Sequence, residues 1–178
     1  MNLPSSITLC EVGLRDGLQN EATLLTVHQK VALLLGLIDA GFKVIEVGSF
    51  MHPKAVPNQV YDLCSHVRSA YPECSWWLHF HNTRGMAMAN ILSALEAGMT
   101  RFDSSFGGLG GCPFVPGAAG NISTEDVLHM CEESGIETGI DITKVIALSR
   151  NLRSLLGHDM ESYILRAGRS SDLIRSNQ

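Results

Sequence analysis

The chain has 178 residues, of which 45% are hydrophobic and 17% are charged, and its formal net charge is -5. This length suits one sizeable core and predicts a single domain over residues 1–178. The acidic balance argues against a nucleic-acid surface, and the apolar runs are too short for a membrane span. The five cysteines form no C-x-x-C pair, which favours free thiols and a cytoplasmic location.

The first part of the chain predicts a strand, a loop and a helix. Residues 7–12 form a short apolar segment that runs into Gly13-Leu14-Arg15-Asp16-Gly17, a glycine-flanked loop carrying two charges. Thr26 can cap the helix that follows, and apolar residues recur at helical spacing until Ala40-Gly41. This is one β-loop-α unit.

The next unit begins with a predicted strand over residues 42–47. Glu46 lies inside this otherwise apolar run, and a carboxylate in such a place needs a functional or structural reason. Two prolines make residues 51–58 a predicted loop, and residues 60–69 predict a helix.

A histidine strand follows, with the sequence Trp76-Trp77-Leu78-His79-Phe80-His81. Successive side chains of a strand point to opposite faces, so His79 and His81 project the same way and Phe80 the other way. Two imidazoles side by side can hold one metal ion. A pair of ordinary histidines is the alternative interpretation of this spacing.

The second half of the chain predicts one more strand and several helices. Residues 86–97 predict a helix, and residues 100–105 predict a strand that leads into a glycine-rich loop over 106–113. Ser123 opens the next helix, a further helix spans 142–156, and residues 170–178 predict a disordered tail.

The alternation of strands and helices predicts an α/β fold with a parallel sheet. Charged residues and glycine-rich loops cluster just after the strands, as they do at the active-site face of a (β/α) barrel. An open doubly wound sheet has the same signature, but no G-x-G-x-x-G follows a strand in the dinucleotide-binding context.

Together these stretches resemble 3-hydroxy-3-methylglutaryl-CoA lyase and its relatives in the metallolyase TIM-barrel superfamily. The resemblance lies in Glu11-Val-Gly-Leu-Arg-Asp-Gly-Leu-Gln-Asn-Glu21, Val44-Ile45-Glu46, Ser49-Phe50, Pro53-Lys54, His79-Phe80-His81, Ala89-Asn90, Gly108-Leu-Gly-Gly-Cys-Pro-Phe114, Gly120-Asn121 and Thr124-Glu125-Asp126. The Gly-Gly-Cys-Pro loop is similar to the lyase branch, which makes an isopropylmalate-synthase-like activity the weaker choice. Asn82 and Arg84, where the lyases often have Asp and Tyr, leave the acyl group open.

The chain departs from this family in its length. A complete barrel typically needs ~250 residues, whereas only four strands are predicted, with the central units missing near residues 58–60. The fold prediction is therefore a partial TIM barrel of about four βα units. Open sheet edges expose unpaired backbone groups, so a homodimer that pairs these edges is the predicted assembly.

The resemblance implies a divalent metal, Mg or Mn, held by Asp16, His79, His81 and the side-chain oxygen of Asn121. It also implies an acyl-CoA substrate. This substrate, 3-hydroxy-3-methylglutaryl-CoA or a related 3-hydroxyacyl-CoA, would be cleaved to acetyl-CoA and acetoacetate or a related oxoacid.

Three further residues are candidates for catalysis in such a site. Arg15 is the candidate cation beside the thioester oxygen. Cys112, on the glycine-rich loop, is the candidate proton donor or relay to the acetyl-CoA carbanion. Glu46 is expected to orient Arg15 or the metal shell from behind.

Each of these assignments has a simpler alternative. Asp16 could cap a helix or turn, Cys112 could be a small buried hydrophobe, and Glu46 could be a buried carboxylate paired with Arg15. Lys54 could meet a CoA phosphate or be a solvated loop lysine. The alternative for the whole chain is a catalytically inactive remnant that acts as a metal-binding or structural, oligomeric protein.

Overall fold

The computed structural model describes residues 3–18, 21–23, 25–45, 56–70, 72, 76–82, 84–110 and 120–175. Three strands and seven α-helices lie in these ranges. In chain order they are β1 Thr8–Glu11, α1 Val27–Asp39, β2 Val44–Ile45, α2 Pro57–Ala70, α3 Ala87–Glu96, β3 Arg101–Ser104, α4 Thr124–Glu133, α5 Ile142–Leu156, α6 Tyr163–Ala167 and α7 Ser170–Arg175.

The strands form a parallel sheet in the order β2-β1-β3. Cys10 pairs with Val44 on one side of β1, and the register from Thr8↔Arg101 to Glu11↔Ser104 joins β1 to β3 on the other. Parallel pairing requires crossover connections, and helices supply them here. The predicted α/β class is therefore confirmed, and β2 is an edge strand among the described residues.

The predicted histidine strand extends this sheet beside β3, although only through isolated bridges. Leu78 pairs with Phe102 in parallel, the Leu78 N–H donates to the Arg101 carbonyl at 3.1 Å, and the Asp103 N–H donates to the Leu78 carbonyl at 3.1 Å. Farther along, His81 forms an antiparallel bridge with Asn121. Residues 76–82 therefore lie in sheet-like register without forming a regular ladder.

Helices cover the sheet and close one hydrophobic core. Phe102, Phe106, Leu37, Ile91 and Leu95 are the largest fully buried apolar side chains of this core. Helix α1 packs on α5, α2 packs on α3, and α4 packs on α5 and α6.

Helix starts confirm the caps expected from the sequence. Thr26 and Gln29 form a capping box, with the Gln29 N–H donating to Thr26 Oγ1 at 3.2 Å and the Thr26 N–H donating to Gln29 Oε1 at 2.8 Å. Ser123 accepts from the Asp126 N–H at the start of α4. Such short-range hydrogen bonds are readable from sequence because both partners lie within one helical turn.

Two predictions about helices are wrong. Helix α2 starts at Pro57, inside the predicted loop, because a proline at the first helical position loses no intrahelical hydrogen bond. The predicted disordered tail begins with α7 (Ser170–Arg175), where Asp172 accepts from the Arg169 N–H at 3.0 Å and Ser170 Oγ donates to Glu133 at 2.8 Å. Residues 176–178 lie outside the described residues.

Helix α6 is an element that the sequence did not predict. It is only five residues long, and it starts where Asp126 accepts from the Tyr163 and Ile164 N–H groups at 3.1 and 2.9 Å and from Ser162 Oγ at 2.9 Å. A side chain from α4 thus caps α6 across the fold, which no local pattern reveals. Across the described ranges, no helix combines the length and hydropathy that crossing a membrane requires.

Candidate active site

The candidate site lies where the parallel strands end. Strand β1 runs into one turn of π-helix, Gly13–Gly17, which carries Arg15 and Asp16. Strand β3 runs into a 3₁₀ turn, Phe106–Gly108, that opens the glycine-rich loop. Because parallel strands end at the same edge of a sheet, these two turns are neighbours, and they pack on each other.

His79 and His81 meet at this edge. Their ring centroids are 5.0 Å apart with the ring planes inclined by 62°. Phe80 between them is buried, whereas both histidines are partly exposed. The alternation predicted from the sequence is thus confirmed, and the two imidazoles lie on one side of the strand.

Asn121 is brought to the histidines by backbone pairing. The Ile122 N–H donates to the Phe80 carbonyl at 3.1 Å, and the Asn82 N–H donates to the Gly120 carbonyl at 3.0 Å. The Asn121 side chain is buried, and its Nδ2 donates to the Leu109 carbonyl at 3.0 Å. Using the amide nitrogen in this way turns Oδ1 away from that carbonyl.

Asp103 is a member of the site that sequence reasoning missed. Its Oδ1 lies 2.8 Å from His79 Nδ1, and the two side chains are only 16% and 21% exposed. A carboxylate at Nδ1 places the ring proton there, so Nε2 carries the electron pair, as in carboxylate–histidine–metal arrangements. The sequence did offer one signal for Asp103, a carboxylate in the middle of a strand. Its partner could not be read from the sequence, because the pairing of Asp103 with His79 depends on the Leu78↔Phe102 register.

Four predicted site residues lie wholly or partly outside the described structure. The backbone of Arg15 and Asp16 lies in the π-helical turn, and their side chains are not among those described. Glu46 and Cys112 lie outside the described residues altogether. Their roles remain predictions.

Two buried glutamates form a second feature that the site analysis of the sequence did not assign. Glu11 and Glu125 are both fully buried. Burial raises the pKa of Glu11 from 4.5 to about 8, an effect that nearby Glu125 reinforces and hydrogen bonds from Thr124, Gly13 and Phe106 partly oppose. Burial also raises the pKa of Glu125.

Glycines allow the turns around the site to approach closely. A Cβ on Gly17 would lie 2.7 Å from Ser105 Oγ and 2.8 Å from Leu109 Cβ, and a Cβ on Gly13 would collide with the edge of the Phe106 ring. A Cβ on Gly120 would fall within contact distance of the Gly108 and Gly110 carbonyl oxygens. At Gly120 all the nearest atoms belong to the backbone, so only glycine leaves room there.

We expect Gly120→Ala to lower the free energy of unfolding by about 3 kcal/mol, because two backbone carbonyls would have to move. Gly135→Ala is the matched control, since a Cβ there meets no atom within 4 Å and costs only its left-handed φ, about 1 kcal/mol. Urea unfolding of both variants measures the difference. Equal losses in the two variants would contradict the crowding argument.

The described donors, His79, His81 and Asn121, fit a divalent metal. Two imidazoles and an amide oxygen suit a borderline or hard divalent ion once an anionic oxygen ligand is added, and Asp103 already orients one of the imidazoles. Among the described side chains, no three of His, Cys, Asp or Glu form a metal-binding group. The predicted ligand set is a different one, because the Asp16 side chain is not among those described and Asn121 is not one of these four residue types.

Comparison with known proteins shows to which family the chain belongs. The model of the family described as HMGL-like matches residues 6–55 and 50–152. The chain is 42% identical over 114 residues to (R)-citramalyl-CoA lyase of Chloroflexus aurantiacus, covering 64% of this chain and 36% of that protein. It is 35% identical over 145 residues to hydroxymethylglutaryl-CoA lyase YngG of Bacillus subtilis, covering 82% and 48%.

The chain is also similar to a solved structure. An HMG-CoA lyase from Acinetobacter baumannii, in complex with coenzyme A and 3-methylmalate, superposes with a TM-score of 0.86 at 30% identity, covering 97% of this chain and 98% of that one. In sequence, the chain spans about a third to a half of the length of the curated relatives named above. The predicted partial-barrel fold of the HMG-CoA lyases is confirmed, and the chain belongs to the HMGL-like family.

Proposed function

We propose that this chain carries the site of a metal-dependent carbon–carbon lyase that cleaves 3-hydroxy-3-methylglutaryl-CoA or a related 3-hydroxyacyl-CoA. The products would be acetyl-CoA and acetoacetate or a related oxoacid. The observation that carries the proposal is the cluster in which Asp103 orients His79 beside His81 and Asn121. Relatives named as acyl-CoA lyases support the reaction class and the acyl-CoA substrate.

The proposed metal is Mg or Mn, held by Asp16, His79, His81 and Asn121. When bound, such an ion makes a coordinated hydroxyl more acidic and offsets charge on neighbouring oxygens. The role of His79 is to present Nε2, since Asp103 holds its Nδ1. The role of Asn121 is to present its amide oxygen, since Leu109 takes its amide nitrogen.

The remaining roles come from residues that flank this cluster. Arg15 is proposed to lie beside the thioester oxygen and stabilise the enolate that forms as the carbon–carbon bond breaks. Cys112 is proposed to protonate the acetyl-CoA carbanion from the glycine-rich loop, and Glu46 to orient Arg15 or the metal ligands. The π-helical turn that carries Arg15 contacts the turn that opens the glycine-rich loop, which supports placing these groups around one substrate.

Acetyl-CoA release from 3-hydroxy-3-methylglutaryl-CoA tests the proposal. The assay uses a fraction of known mass from light scattering, with Mg or Mn added and, in parallel, with a chelator. Release that depends on the metal supports a working lyase. No release from folded, metal-loaded protein would overturn the proposed activity.

A second candidate function is a catalytically inactive remnant that binds metal or acts as a structural, oligomeric protein. It is favoured by the edge position of β2 among the strands that the structure describes. Retained Mn binding without acetyl-CoA release would select it. The internal shortening near residues 58–60 belongs to both candidates, and the two-piece family match supports it.

We also propose that two copies associate through the open side of the sheet. The edge position of β2 among the described strands supports this, and exposed apolar side chains on α1 and α2 (Leu35, Ile38, Tyr61 and Leu63) offer apolar surface for an interface. The light-scattering mass tests it, and a strictly monomeric sample would contradict it. A cytoplasmic location is proposed as well, because Cys64 and Cys131 are buried thiols outside any disulfide.

A further inference from the structure

The Glu11 carboxylate joins three segments that surround the candidate site. Its Oε1 accepts the Gly13 N–H at 2.7 Å and the Phe106 N–H at 3.0 Å, and its Oε2 accepts Thr124 Oγ1 at 2.6 Å. Gly13 opens the turn that carries Arg15 and Asp16, Phe106 opens the glycine-rich loop, and Thr124 begins the helix after Asn121.

Glu125 accepts hydrogen bonds from the next amide of the same loop. Both of its carboxylate oxygens accept the Gly107 N–H, at 3.0 and 2.9 Å. Ser123 Oγ donates to Oε2 at 2.6 Å, and Ser149 Oγ, from α5, donates to Oε1. Two successive amides of the loop therefore end on two different buried carboxyl groups.

This arrangement is expensive if its only purpose is stability. Among the described side chains, no lysine, arginine or histidine forms an ion pair with either glutamate, and both are fully buried. Apolar residues usually fill such positions at lower cost. The raised pKa of Glu11 reflects that cost.

What the two carboxyl groups do supply is position. A glycine-rich loop has few side chains with which to anchor itself, and a misplacement of about 1 Å at a reacting group can cost on the order of a hundredfold in rate. Gly107 and Gly108 both adopt positive φ, at 71° and 67°, a conformation that favours glycine, so this part of the loop has no side chains to anchor it and is held through its backbone amides.

We propose that Glu11 and Glu125 are positioning residues for the start of the glycine-rich loop: Glu11 joins it to the Gly13–Gly17 turn, and Glu125 joins it to Ser123 before α4 and to Ser149 on α5, so that the loop and the turn keep a fixed geometry around one substrate. This inference rests on the proposed lyase function for its consequence in catalysis. Its structural content stands without that function: Glu11 holds the two turns together, and Glu125 holds the start of the loop against α4 and α5.

Paired substitutions separate hydrogen bonding from core filling. Glu11→Gln keeps an oxygen for the Gly13 and Phe106 N–H groups, and its amide can donate to Thr124 Oγ1, whose hydroxyl can then turn to Ser104 Oγ at 2.7 Å. Glu11→Leu fills the same space without accepting any hydrogen bond. Glu125→Gln and Glu125→Leu form the second pair.

Asp126→Asn is the matched control. Asp126 is also a buried carboxyl group that accepts three hydrogen bonds, but its donors are Ser162 Oγ and two N–H groups at the start of α6. It therefore tests what losing a buried carboxylate does when the two site turns are not involved.

Hydrogen–deuterium exchange by mass spectrometry is the primary measurement. For both Leu variants we expect exchange to rise at least tenfold in peptides covering 106–110, and for Glu11→Leu also in 13–17, with α5 unchanged. Both Gln variants should restore protection, and Asp126→Asn should leave both segments as in the unmodified protein. Leu variants with unmodified exchange, Gln variants as unprotected as Leu, or a uniform rise along the chain would each overturn the inference.

Steady-state kinetics then tests the consequence for catalysis. We expect kcat to fall at least tenfold in the Leu variants with KM within threefold, and the Gln variants to recover most of kcat. Unchanged kcat in the Leu variants would overturn the positioning role. An unmodified protein that releases no acetyl-CoA would contradict the proposed lyase function instead, and the exchange experiment would still decide whether the two carboxyl groups hold the start of the loop.

Discussion

Replacing His79 with alanine should abolish tight Mn binding and reduce metal-dependent acetyl-CoA release by several orders of magnitude. His79 is the described residue whose ring is already oriented for a metal, because Asp103 Oδ1 lies 2.8 Å from its Nδ1. Its neighbour His81, with a ring centroid 5.0 Å away, cannot replace it, since one imidazole offers one nitrogen to a given ion.

The contribution of Asp103 is separable from that of His79. Asp103→Asn keeps the size of the side chain but removes the carboxylate that holds the Nδ1 proton, so both tautomers of His79 become accessible. We expect a loss of about 10–100-fold in metal affinity, the usual effect of removing such a supporting partner. Titration with Mn²⁺, followed by electron paramagnetic resonance or calorimetry, measures both variants.

His66→Ala is the matched control for these two variants. His66 lies on α2 and is not among the proposed ligands, so its loss should leave Mn affinity and acetyl-CoA release unchanged. If His79→Ala bound Mn as tightly as His66→Ala, the metal assignment would be wrong. If Asp103→Asn bound Mn as tightly as the unmodified protein, only the orienting role of Asp103 would be contradicted.

The second large effect expected is a decrease in stability as the pH rises from about 5 to about 8. The pKa of Glu11 is about 8 in the folded protein and 4.5 when the side chain is exposed. Between these values the folded state binds more protons than the unfolded state, so the free energy of unfolding falls with increasing pH. The contribution of Glu11 is complete below pH 4.5 and is lost as the pH passes through 8.

The size of this effect follows from the size of the pKa shift. Each pKa unit corresponds to about 1.4 kcal/mol. Over the whole pH range, the titration of Glu11 should therefore lower the free energy of unfolding by several kcal/mol. Glu125 acts with the same sign, because burial raises its pKa too and its charge repels that of Glu11.

Urea unfolding at pH 5, 6, 7, 8 and 9 measures the effect, with Glu11→Gln as the reference that does not titrate. The comparison is needed because His158, whose pKa is raised by the Asp159 carbonyl and by Glu21, also favours the protonated folded state. That residue titrates equally in both proteins, so it cancels. Parallel stability curves for the unmodified protein and Glu11→Gln would show that Glu11 does not carry the pH dependence.

Several features of the site followed from the sequence because they depend on nearest neighbours in the chain. The spacing of His79 and His81 placed both rings on one face, and Thr26 and Ser123 cap their helices as expected. The resemblance motifs also led to the correct family. The roles of Arg15, Asp16, Glu46 and Cys112 remain sequence-based predictions.

The sequence by itself determined the alternation of strands and helices, the helix caps and the shared face of the two histidines, since each arises from contacts within a few residues. Only the tertiary structure decided which partners those residues meet. Asp103 reaches His79 from 24 residues away, and Glu11 reaches Phe106 and Thr124 from 95 and 113 residues away. Such pairs depend on strand register and on the order of strands in the sheet, and local propensity carries no information about either.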